Sequence, residues 1–177
     1  MLLCVFVTSE YARYVNTIDS GNKPTGIADL LGNKGGVGIS FRIMETSFCF
    51  IGCHLAAQPE KMPLRKANFY NLMKYLRLGD DKLEMTATFD YFFFMGDVNF
   101  RLDCKNYFGL WFEEYNSLIG DFYYALDAIN KGEHESLISF DQLVRAKAND
   151  NFMAIFQVKF RSSSIFNIIF LGRKFML

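Results

Sequence analysis

Residues 91–101 read Tyr91-Phe92-Phe93-Phe94-Met95-Gly96-Asp97-Val98-Asn99-Phe100-Arg101. The apolar run that opens this stretch, bounded by glycine, is the pattern of a strand buried on both faces. Its last turn delivers an aspartate and an asparagine to the end of a sheet. In extended backbone Asp97 and Asn99, two positions apart, point to the same side. An acid beside an amide suits chemistry on a phosphate: the carboxylate can orient water or help hold a cation, and the amide can donate to a phosphoryl oxygen. The plainer reading is an Asp-x-Asn turn that caps the strand.

The segments around it alternate strands with helices. Leu2–Val7 is a continuous apolar strand candidate. Val37, Ile39, Phe41 and Ile43 alternate, and Ser47–Cys53 is apolar on both faces, so the short Met44-Glu45-Thr46 connection predicts a hairpin. Phe69, Leu72, Met73 and Leu76 fall at i, i+3, i+4 and i+7, a helix face that packs on a sheet, with Arg65, Lys66, Lys74 and Arg77 left for solvent. Tyr115, Ile119, Phe122, Leu126 and Ile129 form a second stripe. Ser139 with Gln142 is a capping-box signature that predicts another helix start. This order gives an α/β sandwich without internal repeats or linkers.

Composition agrees with one domain. The chain has 177 residues, 51% hydrophobic and 17% aromatic, an apolar load that suits faces packed on further elements. Lys+Arg and Asp+Glu number 19 each, so no global field advertises nucleic acid, and none is expected as a partner. The cysteines Cys4, Cys49, Cys53 and Cys104 show no paired metal spacing and read as reduced thiols of a cytoplasmic protein. Met1–Val7 lacks the basic start and cleavage site of a signal peptide.

Three ordered motifs resemble the inositol polyphosphate 5-phosphatase family. Gly96-Asp97-Val98-Asn99-Phe100-Arg101 is similar to its G-D-x-N-[FY]-R signature. Thr25-Gly26-Ile27 with Gly32-Asn33-Lys34-Gly35-Gly36-Val37 is similar to T-G-I…G-N-K-G-[GA]-V, and Cys53-His54-Leu55-Ala56-Ala57 to S-H-L-x-A. Leu78–Leu83 and Leu137–Leu143 are most similar to the SHIP-type phosphatidylinositol 3,4,5-trisphosphate 5-phosphatases. The resemblance implies a partial α/β sandwich of the endonuclease/exonuclease/phosphatase (DNase-like) type. Residues 1–157 then form the central part of a catalytic domain, and residues 158–177 a divergent tail.

What the resemblance implies chemically is magnesium-dependent hydrolysis of the 5-phosphate of an inositol phospholipid headgroup or a soluble inositol phosphate, at or near a membrane surface. Asp97 would orient or deprotonate the water, with Asn99 and His54 donating to the scissile phosphate. Asn33, Lys34, Lys61 and Arg65 would meet the substrate, and Arg101 would brace the loop by pairing with Asp103 or a backbone carbonyl. The family's magnesium-binding Gln-Glu strand end and its Ser-Asp-His segment do not occur in residues 1–177, so these residues alone are expected to turn over weakly. Two other readings stay open: a catalytically dead module that only binds, and another DNase-like phosphodiesterase.

Overall fold

A computed structural model describes residues 1–26, 33–80, 82–103, 117–150, 152, 157–160 and 167–172, with backbone alone at 117–122, 134, 150, 157–160 and 167–172. It divides into two compact units, residues 1–57, 63–99 and 155–177 in the first and 58–62 and 100–154 in the second. The strands β1 (Val15–Pro24), β2 (Gly35–Ile43), β3 (Thr46–His54), β4 (Tyr91–Asp97), β5 (Gln157–Phe160) and β6 (Asn167–Gly172) form one sheet, in the order β1-β2-β3-β4-β6-β5. The alternating run around Phe41 and the apolar run around Phe50 pair as the expected antiparallel hairpin. Strand β3 lies parallel to β4, and every other neighbouring pair is antiparallel.

The first helices are α1 (Ser9–Ala12), α2 (Met62–Tyr75) and α3 (Met85–Thr88). Helix α2 connects the parallel strands and covers one face of the sheet. Phe69 meets Phe94 edge-on at 5.2 Å, and Cys49, Ile51, Phe92, Phe94 and Leu72 are fully buried. Gly36 lies under Leu72: a Cβ there would approach Leu72 Cδ2 to 2.9 Å, so the absent side chain lets helix and strand close up. The opposite face carries stacked rings, Phe50 on Phe93 at 4.6 Å and Phe48 on Tyr91 at 5.3 Å, and these residues are only half-buried. Strands β3 and β4 are therefore sealed on one face, not on both.

The N-terminal expectation fails. Leu2–Val7 forms no strand, and Leu2 and Phe6 are 86% and 91% exposed. The edge of β2 is taken instead by β1, whose polar sequence has no apolar alternation. It is a strand because β2 offers it a ladder, with an irregularity between Asn16 and Asp19 and Pro24 at its end, as suits an edge. Leu3 packs over Gly52. At the other end, β5 begins at Gln157, and β6 pairs with β4 from Tyr91↔Gly172 to Gly96↔Asn167.

The second unit holds α4 (Ser117–Lys131), α5 (His134–Ile138) and α6 (Gln142–Asp150). Here the predicted stripe needs correction. Leu126 and Ile129 are 43% and 51% exposed, whereas Ala128 is buried; Tyr115 and the side chains of Ile119 and Phe122 lie outside the described residues. The cap of α6 is Asp141, whose Oδ1 accepts the N–H groups of Leu143 and Val144 at 2.8 and 2.9 Å. Ser139 instead donates to the carbonyl of Ser136. Burial raises the Asp141 carboxyl above its usual range, outweighing those two N–H groups and Arg145.

Candidate active site

Parallel pairing decides where the chemistry lies. Because β3 and β4 run the same way, they end together, and His54 and Asp97 are register partners at the last step of the ladder. Gly96 permits this. Its φ is +119°, and a Cβ would fall 2.2 Å from the carbonyl oxygen of Cys53. A side chain there would drive the strand ends apart and carry Asp97 away from His54.

Asp97 Oδ2 stands 3.6 Å from His54 Nε2, too long for a direct hydrogen bond, and the two side chains are 38% and 39% exposed. Both can reach a ligand. Lys34 Nζ lies 2.5 Å from the same Nε2. An ammonium can only donate, so Nε2 accepts and the ring proton resides on Nδ1. Lys34 reaches this position from the mouth of the β1–β2 hairpin, where its carbonyl accepts the Thr25 N–H at 3.0 Å. Residues 27–32, part of the Thr25–Val37 motif, lie outside the described residues. An ammonium, an imidazole and a carboxylate from three strand ends thus share one opening.

Asn99 does not join them as expected. The strand stops at Asp97, Asn99 has φ +56°, and its N–H donates to Asp97 Oδ1 at 3.0 Å. Its side chain is turned inward, 7% exposed, with Nδ2 donating to the carbonyl of Leu55 at 3.0 Å. The extended backbone that would have put it beside Asp97 is absent, and its described bond braces the loop after His54.

Arg65 needs the same correction. Expected at the surface, it is fully buried, and Nη1 donates to the carbonyl of Ala56 at 3.2 Å. The signal was in the sequence: Arg65 precedes Phe69 by four and Leu72 by seven, which places it on the apolar stripe. Asn68 occupies the same stripe and was overlooked. Its Oδ1 accepts the Ala56 N–H at 3.1 Å, and its Nδ2 donates to the carbonyl of Thr25 at 3.4 Å. Asn33 is exposed next to Lys34, and Lys61 is exposed within the second unit. Arg101 is exposed too, and its described links to Gln142 run through its own backbone N–H and carbonyl, at 3.2 and 3.0 Å. Gly36, two positions after Lys34, packs under Leu72.

Cys53, beside His54, is no nucleophile. It is buried, and its thiol is pushed far above the ordinary range, first by burial and then by the charge of Asp97. Among the described residues no group of three or more His, Cys, Asp and Glu converges. Asp97 alone offers one carboxylate, already accepting from Asn99 through Oδ1.

The comparisons with known proteins concern the family and the fold. The model of endonuclease/exonuclease/phosphatase family 2 matches residues 1–165. The chain is 34% identical over 144 residues to a phosphatidylinositol 3,4,5-trisphosphate 5-phosphatase 2A of Danio rerio, covering 80% of this chain and 10% of the relative. It is 34% identical over 145 residues to the human phosphatidylinositol 3,4,5-trisphosphate 5-phosphatase 1, covering 80% and 11%. Among solved structures, the inositol polyphosphate 5-phosphatase domain of SPSynaptojanin, in complex with inositol (1,4)-bisphosphate and calcium ion, superposes with TM-score 0.66 at 22% identity. That match covers 93% of this chain and 49% of the other. A Cimex nitrophorin ferrous NO complex superposes at 0.53 with 15% identity, covering 88% and 53%. The chain spans about a tenth of the length of the curated relatives it matches.

Proposed function

The chain belongs to endonuclease/exonuclease/phosphatase family 2, and on that premise we propose that its site removes the 5-phosphate from phosphatidylinositol 3,4,5-trisphosphate or a related inositol phosphate. One observation carries the reading: His54 and Asp97 end two parallel strands in register, with Lys34 on the imidazole. The relatives named above for that substrate support its choice.

Each group has a part it can play. Asp97 Oδ2, turned toward the opening, orients or deprotonates the attacking water. The Lys34 ammonium donates one hydrogen to His54 Nε2 and keeps two for phosphoryl oxygens, so His54 serves by holding that ammonium toward the phosphate as charge builds there. Asn33, exposed beside Lys34, is placed to help hold the inositol phosphate. Asn99 and Arg65 leave the list of substrate contacts and serve the loop behind it. Magnesium, when bound, would neutralise the phosphate and favour departure of the inositol oxygen. Among the described residues Asp97 is the carboxylate at the opening that would meet it. The reading places the protein in the cytoplasm, working at a membrane surface.

The test is phosphate release from vesicles containing phosphatidylinositol 3,4,5-trisphosphate, with and without magnesium, and with the Asp97→Ala chain as blank. Slow, magnesium-stimulated release that vanishes in the blank is the expected result. Equal release from both chains would overturn the reading. A second reading, a headgroup-binding module without turnover, is favoured by there being no convergent cation-holding set among the described residues. Saturable binding of inositol 1,3,4,5-tetrakisphosphate, weakened by Lys34→Met and without any release, would select it.

A further inference from the structure

The two residues after His54, Leu55 and Ala56, are buried, and every one of their backbone polar groups finds a partner. The Leu55 N–H donates to the carbonyl of Asp97 at 2.9 Å, and the Leu55 carbonyl accepts Asn99 Nδ2 at 3.0 Å. The Ala56 N–H donates to Asn68 Oδ1 at 3.1 Å, and the Ala56 carbonyl accepts Arg65 Nη1 at 3.2 Å. All four backbone groups are thus engaged, and three of the four partners are side chains at most 7% exposed. Leu55 and Ala56 are buried, so these groups need partners, and most of them are supplied by side chains rather than by a strand. A fully buried guanidinium is costly to desolvate, and its place on Ala56 fixes a direction, not merely a depth.

Asn68 does more than Arg65, because its other end reaches a different segment. Its Nδ2 donates to the carbonyl of Thr25 at 3.4 Å, and the N–H of that same Thr25 donates to the carbonyl of Lys34 at 3.0 Å. One carboxamide therefore joins the backbone that bears His54 to the backbone that bears Lys34, and the two side chains meet at 2.5 Å. We infer that Asn68, seconded by Arg65, is a positioning residue that sets the Lys34–His54 contact. The inference rests on the reading that this pair faces the phosphate. Asn68 touches no substrate itself; it fixes how the two segments present their donors.

The decisive change is Asn68→Asp. It keeps size and the acceptor for the Ala56 N–H but turns an oxygen toward the Thr25 carbonyl, breaking only the second link. The readout is the ring nitrogen and carbon spectrum of His54, assigned by His54→Asn since the chain has only 2 histidines. Asn68→Asp is expected to move these signals most of the way to their positions in Lys34→Met, with native-like circular dichroism. The Lys34→Met/Asn68→Asp double variant should add nothing further. Where phosphate release is measurable, it should fall about 10–10²-fold in kcat with KM nearly unchanged, as for a small misplacement of a donor. Ring signals that stay at wild-type positions in Asn68→Asp while Lys34→Met moves them would overturn the inference. If the aspartate variant unfolds, Asn68→Ser, too short to reach Thr25, is read in its place; if both unfold, Asn68 is a folding residue and the inference fails. The spectrum needs no turnover, so an inactive wild-type chain defeats the proposed reaction and leaves this readout intact.

Discussion

Strands β3 and β4 carry an aspartate at each end of their pairing, and the two ends are built differently. At the start, Asp90 Oδ2 accepts both the N–H and the Oγ of Ser47, at 2.9 and 2.7 Å, and its own N–H donates to that Oγ at 2.9 Å. The pair closes on itself. At the finish, Asp97 faces His54 at 3.6 Å, and both side chains are more than a third exposed beside Lys34. The same residue type on the same two strands makes a lock at one end and an opening at the other. Saturation by hydrogen bonds marks a structural carboxylate; an ionisable group left near its partner but not on it is free to meet a ligand.

The strongest test of this contrast is catalytic. His54→Ala should lower phosphate release about 10²–10³-fold if the imidazole serves charge that builds in the transition state. Folding should be nearly unaltered, as judged by circular dichroism. Full activity would remove the open end from the mechanism and leave the two ends alike.

A smaller effect should appear at the closed end. Asp90→Ala strips Ser47 of its partner and should destabilise the fold by about 1–3 kcal/mol, read from urea unfolding. Asp97→Ala should cost much less stability, because its carboxylate is half open to water. Equal losses would mean that both aspartates are structural.

The smallest effect concerns the thiols and sharpens the boundary of the open end. At mildly alkaline pH, iodoacetamide followed by peptide mapping should modify exposed Cys4 quickly. Cys49 and Cys53 should stay unmodified until denaturant is added, since burial disfavours both thiolates. Rapid labelling of Cys53 in the folded chain would show that the opening reaches behind His54.

Parts of the fold were legible because they depend on local pattern. The β2–β3 hairpin follows from alternation and a short turn, and the inner face of α2 follows from the spacing of Phe69, Leu72 and Leu76. The motif that ends in Asp97 marked a strand end that the structure places beside His54. Strand β1 was not legible, because Val15–Pro24 is polar and becomes a strand only by pairing with β2. Leu2–Val7 failed for the converse reason: its apolar run finds no ladder.

At the site the division is sharper. Sequence by itself determined which chemical groups exist, namely one strand-end carboxylate, one strand-end imidazole and a lysine among glycines, and it carried the family resemblance. Tertiary structure decided what each one faces. Asn99 and Arg65 look like donors for a phosphate in one dimension, yet both are turned inward to the Leu55–Ala56 backbone, which needs partners once it is buried. Lys34 lies twenty residues before His54 and meets it because β2 and β3 pair Gly35 with His54. Register across a ladder and the demand of buried backbone for hydrogen bonds are properties of the assembled chain, and they sorted these polar residues into those that hold the opening and those that use it.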